Sequence, residues 1–141
     1  MKSVYIKSGI SVAVAAALTS FAAGAWAKDA DAKLSGSQEV PPVQTSASGT
    51  AHFDVANDMT ITGTVKTTGI KGIAAHIHDG AVGKSGPVVV PLVAKGDNEW
   101  VVAKDTKLTA EQMDELKAGN LYVNVHSDAH KDGEIRGQLK E

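Results

Sequence analysis

Several short segments of this chain alternate between apolar and polar side chains with a period of two. In Leu121–His126, the leucine and both valines fall on one face of an extended strand, and the tyrosine, asparagine and histidine fall on the other. In Met59–Lys66, threonines and a lysine alternate in the same way with Met59, Ile61, Gly63 and Val65. A period of two fits a strand with one buried face and does not fit a helix, so the chain is restricted to a mainly β fold.

One segment has the features of a helix instead. Thr109 and Gln112 have the spacing of a capping box, and Gly119 is a typical C-terminal stop, which predicts a helix over about Thr109–Ala118. We therefore predict an all-β fold: an antiparallel β-sandwich or a partly closed Greek-key-like barrel of about eight strands with one short helix. The predicted strands are Leu34–Val40, Gly49–Val55, Met59–Lys66, Ala74–His78, Val88–Val93, Glu99–Ala103, Leu121–His126 and Glu134–Leu139.

The first residues have the pattern of a secretory signal peptide. Lys2 and Lys7 give a basic start, the apolar run Gly9–Ala23 follows, and Ala25–Ala27 is a small-x-small cleavage site. We predict a signal peptide over residues 1–27, a flexible lead-in over 28–33 and a single domain over 34–141. The mature protein is then expected to be periplasmic or secreted and to have no membrane span.

Charge and cysteine content exclude several classes of function. Without Lys2 and Lys7 the chain has 12 basic residues against 16 acidic ones, a net charge of −4. This balance argues against nucleic acid as a partner. The chain contains no cysteine, so disulfides, thiolate catalysis and cysteine-ligated clusters are excluded.

The histidines are the clearest candidates for chemistry. His76 and His78 fall on one face of the predicted Ala74–His78 strand, and His126 falls on the polar face of a later strand. If the two strands meet, three imidazoles converge, and His130 can add a fourth from the following connection. Imidazole ligands suit Cu(II) and Zn(II), and we expect copper in preference to zinc. The alternative is that these histidines are ordinary polar residues on a wet strand face, which is the interpretation we adopt for His52.

Other polar residues predict no catalytic site. Glu134 and Arg136 are two positions apart on the last strand and are expected to face outward with Gln138. They can form an exposed ion pair, or the carboxylate can orient a histidine. Ser127 directly follows His126, but neighbouring strand residues face apart, so the two do not form a nucleophile–base pair.

Three parts of the sequence resemble one known family. They are LSGSQEVPP at Leu34–Pro42, AHIH at Ala75–His78, and the stretch from LYVNVH at Leu121–His126 to GEIRGQL at Gly133–Leu139. Together they resemble the chordin-type CHRD domain in a bacterial single-domain form, from about Leu34 to Leu139. The resemblance implies a β-rich extracytoplasmic module and does not by itself specify a biochemical role.

A fainter similarity concerns the histidines. The stretch Val65–His78, with glycines before a His-x-His strand, is similar to the copper-binding strand of copper-zinc superoxide dismutases, and His126 stands where those enzymes have a late copper ligand. The Gly80–Gly86 segment contains no histidine to act as a bridging ligand, and no zinc-binding cluster is recognisable there.

The sequence leaves three functional hypotheses open. The first is an exported protein that binds a transition metal for storage, delivery or resistance. The second is a structural or protein-interaction module without metal, whose partner would be another extracytoplasmic protein. The third is a superoxide dismutase-like enzyme, which lacks the ligands just described.

The export hypothesis has a direct test. We expect residues 1–27 to be absent from the exported protein, whose N-terminus should be Lys28, because signal peptidase cleaves after a small-x-small motif. Intact-mass spectrometry of the periplasmic or secreted form measures this. An N-terminus well before Lys28 would contradict the assignment.

Overall fold

The alternating segments pair with one another in the computed structural model, which describes residues 28–141. The described residues form a closed barrel of eight antiparallel strands and one short α-helix. This confirms the all-β class, the number of strands and the single helix, and the barrel is closed because β8 pairs with β1. The elements are β1 Lys28–Ser35, β2 Ser48–Val55, β3 Ile61–Thr68, β4 Gly72–Asp79, β5 Val88–Ala94, β6 Glu99–Val102, α1 Ala110–Ala118, β7 Leu121–Ser127 and β8 Ile135–Gln138.

The order of strands around the barrel differs from their order in the chain. It runs β1-β2-β3-β6-β5-β4-β7-β8. As a result, β4 does not pair with the preceding strand β3 but lies between β5 and β7. In the β7–β8 hairpin, β7 lies beside β4, and β8 lies between β7 and β1.

The beginning of the described chain corrects one prediction. Residues 28–33, expected to be a flexible lead-in, belong to β1, which pairs with β2 from Lys28↔Val55 to Ser35↔Ser48. Alanines at alternate positions and Leu34 face the core, and their small size is why the segment did not resemble a strand. The predicted first strand, Leu34–Val40, is also wrong in extent, because a 3₁₀ turn at Gly36–Gln38 follows Ser35.

The barrel interior is filled by apolar side chains from every strand. Phe53, Val65, Ile77 and Val123 are completely buried, and Leu116 of α1 also joins this core. The other fully buried apolar residues of the strands include Ala30, Val125 and Ile135. The inward-facing half of each alternating pattern thus supplies the hydrophobic core.

The helix begins and ends as its sequence predicts. The Thr109 hydroxyl accepts a hydrogen bond from the Gln112 backbone N–H, and the Gln112 side chain accepts one from the Thr109 backbone N–H. Gly119 ends the helix in the left-handed region at φ 77°. Within residues 28–141, no helix combines the length and apolar character that crossing a membrane requires. The predicted signal peptide at 1–27 lies outside the described residues.

The largest apolar side chain of the core provides a test of this packing. Trp100 on β6 is 6% exposed. We expect Trp100→Ala to lower the free energy of unfolding by roughly 3–5 kcal/mol, because the truncation leaves a cavity. Urea denaturation measures the change. Val93→Ala is the control, since Val93 is 51% exposed and should change stability by less than about 0.5 kcal/mol. Equal effects of the two substitutions would contradict the packing of Trp100.

Candidate metal centre

The outer face of β4, β7 and β8 carries a continuous layer of polar side chains. The strand register aligns His76 with Asn124 and Asn124 with Arg136, and a second row aligns His78 with Tyr122 and Tyr122 with Gln138. The same face includes His126, since His126 alternates with Asn124 on β7. We call this surface the polar face; its members are His76, His78, Tyr122, Asn124, His126, Arg136 and Gln138.

The polar face is covered rather than open to solvent, which corrects the expectation that Arg136 and Gln138 face water. The β4–β5 loop, residues 80–87, lies over part of it. Arg136 Nη2 donates a hydrogen bond to the Ala81 carbonyl at 3.0 Å, and Gln138 Nε2 donates one to the Gly80 carbonyl at 2.7 Å. Both side chains are consequently buried.

Glu134 is also buried, and neither expected role applies to it. Its carboxylate accepts hydrogen bonds from the hydroxyl of Ser127 at 2.7 Å and from that of Thr45 at 2.9 Å. Among the described residues, it forms no ion pair with Arg136 within 4.0 Å. Through these two hydrogen bonds, Glu134 links the segment around Thr45 to the end of β7.

Three of the four predicted ligands come together. His76, His78 and His126 each offer one ring nitrogen, and these nitrogens lie within 4.8 Å of one another. The shortest separation is 3.1 Å, between His76 Nδ1 and His126 Nε2. Antiparallel pairing of β4 with β7 produces this arrangement, because it places Ala74 opposite His126 and so sets His76 one step along the same face.

Two of these rings are held by backbone carbonyl groups. His78 Nδ1 lies 2.9 Å from the Gly86 carbonyl oxygen, and His126 Nδ1 lies 2.7 Å from that of Lys131. A carbonyl oxygen only accepts, so Nδ1 must carry the hydrogen in both rings, and Nε2 of each neutral ring is the nitrogen that has a lone pair; that of His126 faces His76 Nδ1. His78 is only 9% exposed, and its Nε2 is buried without a hydrogen-bond partner in the described part of the chain.

The surroundings favour the neutral form of the two β4 histidines. Burial lowers the pKa of His76, and the neighbouring His126 and His78 lower it further. Burial is also the main cause that lowers the pKa of His78. Neutral imidazole is the form that binds a metal, so both rings are suited to bind one at neutral pH.

Tyr122 holds His78 from the neighbouring strand. The two rings stack with centroids 4.8 Å apart and planes 3° from parallel. The Tyr122 hydroxyl accepts a hydrogen bond from the Gly86 backbone N–H at 3.1 Å, and the Arg136 guanidinium carbon lies 3.5 Å from the Tyr122 ring centroid. Tyr122 was not among the predicted site residues, although its place on the face shared with His126 was a usable signal.

The fourth predicted ligand, His130, is not in the three-histidine group. It lies in the β7–β8 connection, where its backbone exchanges hydrogen bonds with Ser127 at 3.2 Å in both directions. His52, which we left out of the site, is exposed on β2 with its Nδ1 2.7 Å from Asp31 Oδ1. It belongs to an exposed group with Asp29 and Asp54, whose ligand atoms also lie within 4.8 Å of one another and which the sequence analysis missed.

A buried carboxyl group lies next to the histidine site. The Glu39 side chain packs close to Gly133 and Asn124, so closely that a Cβ at Gly133 would stand 2.5 Å from Glu39 Oε1. Burial raises the pKa of Glu39 to about 7, although Arg136 and the Asn124 amide both favour the ionised form. Among residues 28–141, Glu39 Oε1 and Asn124 Oδ1 have no hydrogen-bond partner.

The raised pKa of Glu39 has a consequence for stability. A carboxyl group whose pKa is higher in the folded protein stabilises the fold most below its unfolded value of about 4.5, and this stabilisation is lost as pH rises towards 7. We expect Glu39→Gln to be more stable than the parent at pH 8 by up to about 3 kcal/mol, and to lose this advantage near pH 4.5. Urea denaturation across this pH range measures the difference. The exposed Glu111→Gln is the control, and an E39Q advantage that does not depend on pH would contradict the argument.

Comparison with known proteins gives one family and no individual relative. Neither the curated proteins nor the solved structures include a significant match to this chain. The family model of the CHRD domain matches residues 30–139. This span includes the whole barrel apart from the first residues of β1, and it includes the three clustered histidines. The resemblance found in the sequence is therefore confirmed, and the chain belongs to the CHRD domain family.

Proposed function

We propose that this CHRD-domain protein is exported and binds a transition metal, copper in preference to zinc, through His76, His78 and His126. Storage, delivery or resistance is the role that such binding would serve. The observation that carries the proposal is the convergence of three ring nitrogens within 4.8 Å from two paired strands. The signal-peptide pattern of residues 1–27 supports the exported location.

The spacing of the ligand atoms supports a common ion. Two nitrogens that are each about 2.0–2.1 Å from one metal stand roughly 2.9–3.4 Å apart at the usual angles. His76 Nδ1 and His126 Nε2 are 3.1 Å apart. His78 requires only a small ring movement to join them, since the group already lies within 4.8 Å.

The ligand type supports copper. All three ligands are imidazoles, and the chain contains no cysteine to favour a thiolate-bound metal. With nitrogen ligands, Cu(II) binds more tightly than Zn(II) and the other divalent first-row metals. Hydrogen bonds from the distal ring nitrogens of His78 and His126 to carbonyl groups are the second contacts typical of metal-ligating histidines.

Calorimetry on untagged, metal-free protein tests the site. We expect His76→Ala and His126→Ala each to abolish tight Cu(II) binding, because each removes a ligand from a different strand. His52→Ala is the matched control and should bind like the parent, since His52 lies outside the trio. His130→Ala should also have little effect, because the structure keeps His130 out of the group.

Two further measurements complete this test. Cu(II) should raise the melting temperature of the parent, since it binds the folded arrangement, and should not do so for His76→Ala. Affinity should fall only below about pH 6.5, because the pKa values of His76 and His78 are lowered from that value. If the His76 and His126 variants bind copper like the parent, the trio is not a metal site, and a protein-interaction module becomes the better proposal.

A further inference from the structure

Arg136 is a buried cation that forms no ion pair within the part of the chain that the structure describes, although the Glu39 carboxylate, beyond 4.0 Å, attracts it when ionised. The side chain is 2% exposed and is the only arginine in the chain. In residues 28–141, no carboxylate oxygen lies within 4.0 Å of its guanidinium. Carbonyl oxygens and the Tyr122 ring contact it without neutralising its charge. A buried charge is normally paired, so this position is suited to an anion.

The hydrogen bonds to the described residues do not use all N–H groups of the guanidinium. Both of its hydrogen bonds among the described residues, to the Ala81 carbonyl and to Gln138 Oε1, come from Nη2. Nε and Nη1 take part in neither bond. They are the donors that these bonds leave for a ligand in a cleft that Arg136 lines. A carboxylate oxygen can accept a charge-assisted hydrogen bond from either of these groups.

A cleft leads from the surface to Arg136. It has a volume of about 400 Å³ and lies between the Ser37–Pro42 segment and the tip of the β4–β5 loop. This volume is within the range of small-molecule pockets, which extends from about 300 to 1,000 Å³. Its polar lining includes Arg136, Gln138 and Glu39, together with Ser37 and Gln38.

The mouth of the cleft is apolar on both sides. Val82 stands on the loop side and is 76% exposed, and Val40 on the opposite side is also exposed. Pro42 extends the apolar wall next to Val40. The cleft thus combines exposed valines at its mouth with a buried cation. A ligand with a short apolar chain and an anionic end would complement both features.

We infer that this cleft binds a small organic carboxylate, with the carboxylate on the Arg136 guanidinium and a short apolar chain between Val40 and Val82. This site is separate from the three histidines and does not depend on metal binding. Glu39 lines the same cleft and carries a like charge when ionised, so it weakens binding of an anion.

The experiment uses metal-free protein at pH 8, with butyrate as the probe and its neutral analogue butyramide as the control ligand. Two-dimensional amide NMR follows the signals of Val82 and Gly83, which line the cleft. We expect butyrate, and not butyramide, to shift these signals with saturation. Equal binding of the two ligands, or no binding of butyrate, would overturn the inference.

Three variants locate the probe. Val82→Asp places a negative charge at the mouth and should weaken butyrate binding by about tenfold. Val93→Asp introduces the same charge at an exposed valine of β5 that does not line the cleft, and should leave binding unchanged. Glu39→Gln removes the like charge and should strengthen binding several-fold.

Arg136→Gln is the direct test, and the exposed variants keep the inference testable even if that substitution prevents folding. Butyrate binding that persists in folded Arg136→Gln would overturn the inference. So would an equal effect of Val82→Asp and Val93→Asp. Since all of these titrations use metal-free protein, their results are independent of whether the histidines bind copper.

Discussion

The pairing of β4 with β7 is the interaction on which the rest of the polar face depends. The two strands are distant in the chain, and their antiparallel register places His76 and His78 beside Asn124 and Tyr122. A shift of one residue would turn one strand's polar side chains into the barrel interior, where Ile77 and Val123 now pack. The hydrophobic core therefore maintains the histidine geometry, because the same register satisfies both faces.

Burial of the polar face determines its chemistry. The β4–β5 loop bonds to His78, Tyr122, Arg136 and Gln138, and this cover removes water from groups that would otherwise be solvated. Desolvation lowers the pKa of His78 and raises that of Glu39, so both groups favour their neutral forms. We propose metal binding at the histidines of the polar face and carboxylate binding at Arg136. Both proposals rest on polar atoms that the fold holds in place without using all of their hydrogen-bonding capacity.

Much of the fold and part of the site were predictable from local patterns. Alternation identified the strands, the capping box and Gly119 located the helix, and the shared face of His76 and His78 followed from a period of two. The prediction was wrong at Lys28–Ser35, where small alanines face the core, and at Arg136 and Gln138, where a polar pattern was interpreted as exposed. Polar side chains at alternate positions indicate only that this face of a strand does not point into the hydrophobic core. A loop from a distant part of the chain can still cover the face and bury it.

By itself, the sequence determined the class of fold, the family, and which histidines lie on outward faces, because these depend on local periodicity and on residue identity. Only the tertiary structure decided that β7, rather than β3, lies beside β4, so that His126 joins the group and His130 does not. It also decided that Arg136 is buried with no carboxylate oxygen of residues 28–141 within 4.0 Å of its guanidinium. These features depend on pairing and covering between segments far apart in the chain, which the local alternation of side chains does not encode.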